Sequence, residues 1–330
     1  MRVLVAGGAG FIGSCYVRTL LAGGYESFAG ASVTVLDRLP AAGARATLAP
    51  VVDDPRLCLV EGDIADERLL AGLVPGHDVV VNFAAETHVD RSIHAPRPFV
   101  HSNLVGLQAL LHACVTAEVG TVLQVSSDEV YGPVESGWCA EDAPLAPSSP
   151  YAASKAGGDL LAAAYRRTYG LDVRITRGVN TYGPYQCPDK LVPLFVTRLL
   201  DGREVPLYGD GLHVRDWMHV ADHCRAVQLV IERGEPGGTY NVGAGRELTN
   251  RELATRLLAA CGAPADLVRH VEDRPGHDRR YGVDRSKIAR LGHAPAVDLD
   301  EGLAATVRWY AARRDWWEPL VRSMSPPRRA

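Results

Sequence analysis

Between Arg2 and Ser14 the chain runs from a short apolar stretch, Arg2 to Ala6, straight into GGAGFIGS, where Gly7, Gly10 and Gly13 recur at every third position before a helical pattern begins. Missing side chains at that spacing permit a tight turn, close approach of backbone N–H groups to a pyrophosphate, and close packing of the helix that follows. Strand, turn and helix must be consecutive for this to work, and here they are. The same rhythm continues. Val33 to Leu36, Leu57 to Val60, Val79 to Asn82, Val122 to Val125 and Val173 to Thr176 are Val- and Leu-rich runs with helical stretches filling most of the gaps. Such alternation predicts βαβ units and a parallel sheet covered on both faces.

After about residue 178 the alternation weakens, and Pro184, Pro188, Pro193 and Pro206 punctuate the chain. Helical patterns return at Val192 to Leu200, Val220 to Glu232, Asn250 to Ala260 and Asp300 to Ala312. With no internal repeat or low-complexity linker, the expectation is a smaller, mostly helical α/β lobe packed onto a Rossmann-type doubly wound sheet. We place the first domain at 1–178, joined by part of 214–240, and the second at 179–330, interleaved with it. The segment Met324 to Ala330, basic and Pro-rich, reads as a frayed tail.

Composition narrows the function classes. A net charge of −4 over 330 residues gives no electrostatic footprint for nucleic acid or an anionic membrane. No apolar run is long enough for a membrane span, and no signal-peptide layout opens the chain. The seven cysteines are scattered, odd in number and without a C-x-x-C pair, which argues against a disulfide framework or a metal site. A cytoplasmic enzyme with small-molecule ligands is the expectation.

Three features carry chemistry. Asp37 ends the second strand run; a carboxylate there accepts hydrogen bonds from ribose hydroxyls and repels a 2′-phosphate, favouring NAD over NADP. Arg38 beside it keeps NADP open. Tyr151 and Lys155, in YAASK, lie four apart at the start of a helical run and so share a face; a nearby ammonium favours the ionised phenol, whose free pKa of about 10 is too high for a base at neutral pH. Taken alone the Y-x-x-x-K pattern is common in ordinary helices. Finally, SSDEVYG (126–132) sets Asp128 and Glu129 directly after the strand run ending at Val125. Consecutive strand residues point to opposite faces, so both acids reach one ligand only if the chain is already turning, and Tyr131-Gly132-Pro133 supplies a turn.

Together GGAGFIG, Ser126-Ser127 and YAASK resemble the extended short-chain dehydrogenase/reductase superfamily acting on nucleotide sugars. The finer likeness is to its dTDP-glucose 4,6-dehydratase family, through AAETHVDRSI (84–93), SSDEVYG, NTYGPYQCPDKLVP (180–193), VPLYGDGLHVRDWMHVADH (205–223), YNVGAG (240–245) and DRPGHDRRYGVD (273–284). The acidic pair discriminates most: epimerases of the superfamily usually lack it, and decarboxylases and GDP-mannose dehydratases usually keep only the Glu. The resemblance implies NAD, dTDP-glucose as substrate, a 4-keto-6-deoxy product for deoxysugar biosynthesis, and a homodimer built on Pro98 to Glu118 and Tyr151 to Tyr169.

It also implies roles. Tyr151 takes the 4-hydroxyl proton with Lys155 in support, Glu129 removes the C5 proton, Asp128 protonates the departing C6 hydroxyl, and Ser127 hydrogen-bonds the C4 oxygen. Gly7, Gly10, Phe11, Ile12, Gly13, Asp37, Arg38, Asp63, Ile64, Ala84, Ala85 and Ser102 fall on cofactor-binding positions. Thr87, His88, Arg91, Asn180, Lys190, Leu191, Pro206, Tyr208, Arg215, Asn250, Arg274 and His277 fall on substrate-binding ones, and His219 reads as structural. This chain departs from the family pattern in having Ser127 where Thr is usual, Thr181 where Asn is usual, and Pro40-Ala-Ala-Gly43 after the ribose-binding position. Another NAD-dependent UDP-sugar dehydratase, epimerase or decarboxylase is the neighbouring reading; a nucleotide-sensing protein on a dehydrogenase scaffold is the non-enzymatic one.

Overall fold

The computed structural model describes residues 1–39 and 45–324, so the Pro40–Gly43 departure and the tail beyond Met324 lie outside the described residues. The first strands are β1 (Arg2–Ala6), β2 (Ser32–Asp37), β3 (Leu57–Glu61), β4 (Val79–Asn82), β5 (Thr121–Ser127) and β6 (Val173–Gly178). Then follow β7 (Asn180–Tyr182), β8 (Val205–Tyr208), β9 (Val214–His219), β10 (Thr239–Val242), β11 (Glu247–Thr249) and β12 (Val268–Val271). A seven-stranded sheet in the order β10-β6-β5-β4-β1-β2-β3 is parallel throughout.

The two-residue period of the strands builds two cores from one sheet. Val3, Val5, Val33, Val35, Val79, Val81, Leu123 and Val125 face one side. Leu4, Ala6, Leu36, Val80, Val122, Val173 and Ile175 face the other. Nearly every position of the inner strands β1, β4, β5 and β6 is thereby buried, which is why these runs are continuously apolar rather than alternating. Helix α1 (Phe11–Leu21) covers the first face, and α2 (Val220–Arg233) packs along it, with the Tyr16 hydroxyl donating to Gln228 Oε1 at 2.6 Å.

A third core joins Tyr182, Phe195, Trp217, Leu253, Leu303, Tyr310 and Trp317. Its scaffold is a small sheet β11-β9-β7, a two-stranded sheet β12-β8 and the helices Leu191–Leu200, Asn250–Cys261 and Leu299–Ala312. These short strands fall in the stretch where only weakening alternation was read. The helix expected from Pro98 to Glu118 is interrupted: α-turns at Arg97–Val100 and Leu107–Thr116 flank a π-helical segment, His101–Gly106. A π-bulge rotates the residues it contains; here it buries Ser102 and Asn103 against the glycine-rich end of the sheet. Asn103 then ties that end together, bonding Ser154 Oγ at 2.8 Å and the backbone of Glu86 at 2.9 and 3.1 Å.

Candidate active site

At the carboxyl ends of the parallel strands the backbone opens into a groove with two connected parts. The first is lined by Gly7, Ala9, Gly10, Asp37, Arg38, Gly62, Ile64, Ala84, Ala85 and Ser102. Gly7 has φ +73°, and a Cβ there would sit 2.5 Å from the Ala84 nitrogen; a Cβ on Gly13 would sit 2.3 Å from the Gly7 carbonyl oxygen. The glycines are therefore needed to bring the turn, the next strand and the first turn of α1 within contact. The first N–H groups of a helix have no intrahelical partner, and here Gly10, Phe11, Ile12 and Gly13 line the groove, the arrangement that suits a pyrophosphate.

Asp37 accepts from Ala9 N at 3.0 Å and Leu39 N at 2.9 Å, which fixes its carboxylate at the groove's end. Arg38, the residue that kept a 2′-phosphate in view, is engaged by Glu86 at 2.6 Å and by Asp63 at 3.7 Å, while Asp63 also meets His101 at 3.1 Å. A guanidinium between two carboxylates is already neutralised, and the acidic surround repels further negative charge. The residues present fit a dinucleotide with a free ribose diol.

The second part encloses about 370 Å³ and is lined by Phe11, Ile12 and Gly13 together with Thr87, His88, Arg91, Ser127, Asp128, Glu129, Tyr151, Lys155, Asn180 and Lys190. The phenol and both acids thus face one cavity. Their convergence has a local cause: β5 stops at Ser127, and Asp128–Tyr131 form a 3₁₀ turn with Ser127 Oγ accepting from Glu129 N at 3.2 Å. The turn begins at the acids themselves, three residues earlier than Tyr131-Gly132-Pro133. Gly132 closes it at φ +73°, where a Cβ would meet the Ala146 carbonyl oxygen at 2.1 Å. Tyr131 anchors it, donating to Asn241 Oδ1 at 2.8 Å and accepting from Arg177 at 2.7 Å, itself paired with Asp159 at 2.8 Å.

The two carboxyls differ in surroundings. Burial first, and then the neighbouring Glu129, push Asp128 up to about 8. Glu129 is also raised by burial, but Arg274, Arg215 and Lys190 act against that rise. Both acids are raised by burial, but three cations oppose the rise at Glu129 whereas the Glu129 charge adds to it at Asp128, an asymmetry of the kind that divides acid and base roles.

Lys155 lines the same cavity as Tyr151. Its Nζ donates to the Val125 carbonyl at 2.7 Å, and burial lowers its own pKa to about 8. The Tyr151 phenol is raised rather than lowered, by burial first and by the Glu129 charge second, while the Ser127 hydroxyl lying against it favours its ionised form. In this geometry the ammonium sits against a carbonyl on β5, and the strand-end serine favours the ionised phenol.

The remaining substrate positions divide. Lys190 Nζ donates to Thr87 O at 2.6 Å; Arg91 pairs with Asp189, which lies 3.9 Å from His88. Beside the cavity, Arg274 and Tyr208 both reach Asp90 at 3.1 Å. Arg215, buried, lies over the Tyr281 ring at 4.3 Å and donates to the Asp278 carbonyl at 2.8 Å. His277 stacks on His213 at 3.7 Å with Asp273 bridging them at 2.6 and 3.1 Å. Those three could approach a cation, but stacked rings aim their nitrogens side by side and the carboxylate is spent on both. Pro206 lies in β8, Leu191 packs on the third core, and Asn250 opens its helix buried, with Oδ1 unpartnered. His219 caps α2 through Ala221 N at 3.2 Å. Thr181, at the usual Asn position, lines the cavity and bonds His223 Nδ1 at 2.8 Å.

Sequence reasoning passed over Asp90, Asp189 and Tyr281. Tyr281 donates to Asp278 Oδ2 at 2.9 Å and stands 3.4 Å from Glu129 Oε2. The signal for each was its place inside a family segment beside a basic residue that needed a partner.

A family model described as GDP-mannose 4,6 dehydratase matches residues 4–306. The chain is 56% identical to a dTDP-glucose 4,6-dehydratase of Actinoplanes sp. over 96% of this chain and 100% of that protein. The solved dTDP-glucose 4,6-dehydratase from Streptomyces venezuelae, crystallised with NAD, superposes with a TM-score of 0.95 at 58% identity, covering 97% of this chain and 100% of that one. For a UDP-glucose 4-epimerase of Thermotoga maritima identity falls to 30%, with a TM-score of 0.86 over 94% and 99% of the two chains. The sequence, the fold and the paired acids beside a dinucleotide groove agree, and the chain belongs to the dTDP-glucose 4,6-dehydratase family.

Proposed function

We propose that this chain converts dTDP-glucose to dTDP-4-keto-6-deoxyglucose and water, retaining NAD throughout, as a step of deoxysugar biosynthesis. The observation that carries the reading is the sharing of one cavity by Tyr151, Asp128 and Glu129, continuous with the dinucleotide groove. The C5 proton of a hexose is far too weakly acidic while C4 is an alcohol, so C4 must be oxidised first. NAD supplies a hydride acceptor at C4 and a hydride donor at C6. Tyr151 takes the 4-hydroxyl proton, with Ser127 holding the C4 oxygen. Glu129, with three cations offsetting its desolvation, removes the C5 proton; Asp128, still able to hold a proton near neutral pH, gives it to the departing C6 hydroxyl. An epimerase has no use for this acid pair.

Residues 1–178, with part of 214–240, act as the cofactor lobe, and 179–330 as the nucleotide-sugar lobe. Arg215, Arg274, Lys190 and Asn180 serve the pyrophosphate side, with His277 nearby; His88 and Arg91 serve the sugar, Pro206 and Tyr208 serve the base and deoxyribose, and Thr87, Leu191 and Asn250 complete the substrate-binding set. A cytoplasmic setting is supported by seven unpaired cysteines, and no helix among the described residues is long and apolar enough to cross a membrane. Homodimerisation is supported by Val100, Val105, Leu160 and Tyr169, all exposed on the two helical segments expected to pair. Incubation with dTDP-glucose and, separately, with UDP-sugars tests the assignment: a 4-keto-6-deoxy product from the dTDP-sugar alone is expected, and turnover of UDP-sugars only would overturn it.

A further inference from the structure

The segment from Gly183 to Lys190 joins β7 to the helix Leu191–Leu200 and carries Gln186, Cys187, Asp189 and Lys190 into the lining of the cavity. Its backbone is strained. Tyr185 holds φ +68°, a left-handed conformation that a bulky side chain adopts only where its surroundings enforce it. Lys190 at the end of the segment bears an ammonium on a long flexible stem, so where that charge falls depends on how the backbone presents it.

What enforces the conformation is an aromatic grip. The Tyr185 ring stands 4.5 Å from the Trp309 ring and 5.5 Å, edge to face, from that of Trp316, and the Arg18 guanidinium lies over it at 4.2 Å. Every one of these contacts is made by the ring and none by the hydroxyl. Trp309 and Trp316 belong to the helices Leu299–Ala312 and Arg314–Met324, whereas Arg18 lies about two turns along α1 from Phe11, which lines the cavity. One side chain thus ties three separate parts of the chain. The next residue is pinned as well: the Tyr310 hydroxyl donates to the Gln186 carbonyl, and Gln186 Nε2 donates to the Thr181 carbonyl at 2.8 Å. From there the chain turns, Lys190 N donating to the Cys187 carbonyl at 3.1 Å, and Lys190 Nζ reaches Thr87 O at 2.6 Å.

Resting on the assignment of Lys190 to the pyrophosphate side, we propose that Tyr185 is a positioning residue for the nucleotide sugar: gripped by Arg18, Trp309 and Trp316, it holds the segment in the conformation that delivers Lys190 to the cavity. Without the ring, nothing holds the left-handed turn, and the segment samples other conformations in which Lys190 is misplaced. Affinity then falls by the fraction of molecules still competent, so a segment correctly placed about one time in ten weakens binding about tenfold. A bound nucleotide sugar restores the conformation through its own contacts. The loss therefore falls on affinity rather than on the chemical steps, which are carried by residues of β5 and the helix Pro150–Tyr169. The other two cations assigned to the pyrophosphate, Arg215 and Arg274, come from different segments and stay in place, the first on the Asp278 carbonyl and the second on Asp90.

The test measures KM and kcat for dTDP-glucose in the NAD-holding enzyme and its variants. Tyr185→Phe keeps the ring and is expected to match the parent within about twofold. Tyr185→Gly removes the ring and the strain together; it is expected to raise KM about tenfold while kcat stays within about threefold and NAD is retained. Arg18→Met loosens the grip from α1 with the segment's own sequence intact and is expected to raise KM in the same sense. In a Lys190→Ala background Tyr185→Gly should add less than about twofold, because the group it positions is already gone; a tyrosine that only stabilises the fold lowers the melting temperature and acts in full on both backgrounds. A parent-like KM in Tyr185→Gly, a fall in kcat without a rise in KM, full additivity with Lys190→Ala, or a Tyr185→Phe as impaired as Tyr185→Gly overturns the proposal. Should Tyr185→Gly not fold, a parent-like KM in Arg18→Met overturns it. The parent's product reports the reaction itself, and if only a UDP-sugar is turned over the same comparison is made with that sugar, so the two readings fail separately.

Discussion

The division of labour between Asp128 and Glu129 rests on surroundings rather than residue type. The two side chains are one position apart and both are desolvated, yet Glu129 is offset by Arg274, Arg215 and Lys190, whereas Asp128 answers mainly to burial and to its neighbour's charge. Replacing Glu129 with Gln removes the base without changing shape: product formation should fall by ~10²-fold or more, while C4 oxidation continues and the absorbance of reduced nicotinamide accumulates in the bound cofactor. Asp128 has a cost for the fold as well. Its carboxyl goes from an ordinary value of 3.8 to about 8 on folding, so across that window the folded protein holds a proton the unfolded chain has lost. Stability should therefore fall as pH rises through it, the penalty being absent at pH values below the unfolded pKa and complete above the folded one. Asp128→Asn should melt higher than the parent, with a gap that widens between about pH 5 and about pH 8 in thermal scans; a constant gap would mean the carboxyl is not the titrating group. At this scale the sequence was informative about which residues matter and silent about their partners. Tyr151, Asp128 and Glu129 were legible because they stand inside segments that resemble the family's; the Lys155 bond to Val125 O and the Arg38 clamp were not, since each depends on chain segments brought together only by folding.

Elements explain how those side chains come to face one another. Continuous Val and Leu runs marked the sheet strands, because a parallel strand buried on both faces has no polar alternation to blur it. The short strands β7, β8, β11 and β12 carry three or four residues each, too few for a period to register, and Pro206 inside β8 speaks against a strand until the edge position is known. The π-segment at His101–Gly106 was equally hidden, as its sequence reads as ordinary helix. The glycine turn was the most legible element and offers the sharpest contrast of magnitudes. By intrinsic propensity, Gly13→Ala in α1 should stabilise the helix by about 1 kcal/mol. Its Cβ would, however, lie 2.3 Å from the Gly7 carbonyl oxygen, a backbone atom that moves only with the turn, and overpacking of this kind costs typically 1–3 kcal/mol. The clash should win: Gly13→Ala is expected to lower the melting temperature and to be purified with little retained NAD, measured by mass analysis of the released cofactor. A variant that kept full NAD would show that the turn has slack the geometry does not display.

For the molecule as a whole, the site depends on lobes that the chain crosses repeatedly. β10, remote in sequence, completes the large sheet beside β6, and α2 lies against α1, so residues after 178 support the cofactor side of the cleft while Asn180 and Lys190 line its sugar side. Global resemblance made this interleaving legible in outline; no local pattern announces that a four-residue strand at 239–242 belongs to a sheet begun at residue 2. The same view bears on assembly. Val100 (46% exposed), Val105 (49%), Leu160 (64%) and Tyr169 (53%) leave apolar side chains in water along two segments that pack on each other, and such a patch is expected to be covered. A two-fold axis through it would bring each patch onto its own copy, a self-complementary contact between the paired segments. Placing a charge on that axis sets like against like across a drying interface, which costs several kcal/mol. Val105→Glu combined with Leu160→Glu should therefore convert a dimer to a monomer in sedimentation or light scattering, and the monomer should melt lower, since Tyr151 and Lys155 of one of those helices line the site. If the parent itself sediments as a monomer, or the doubly charged variant remains dimeric, the partner surface lies elsewhere on the molecule.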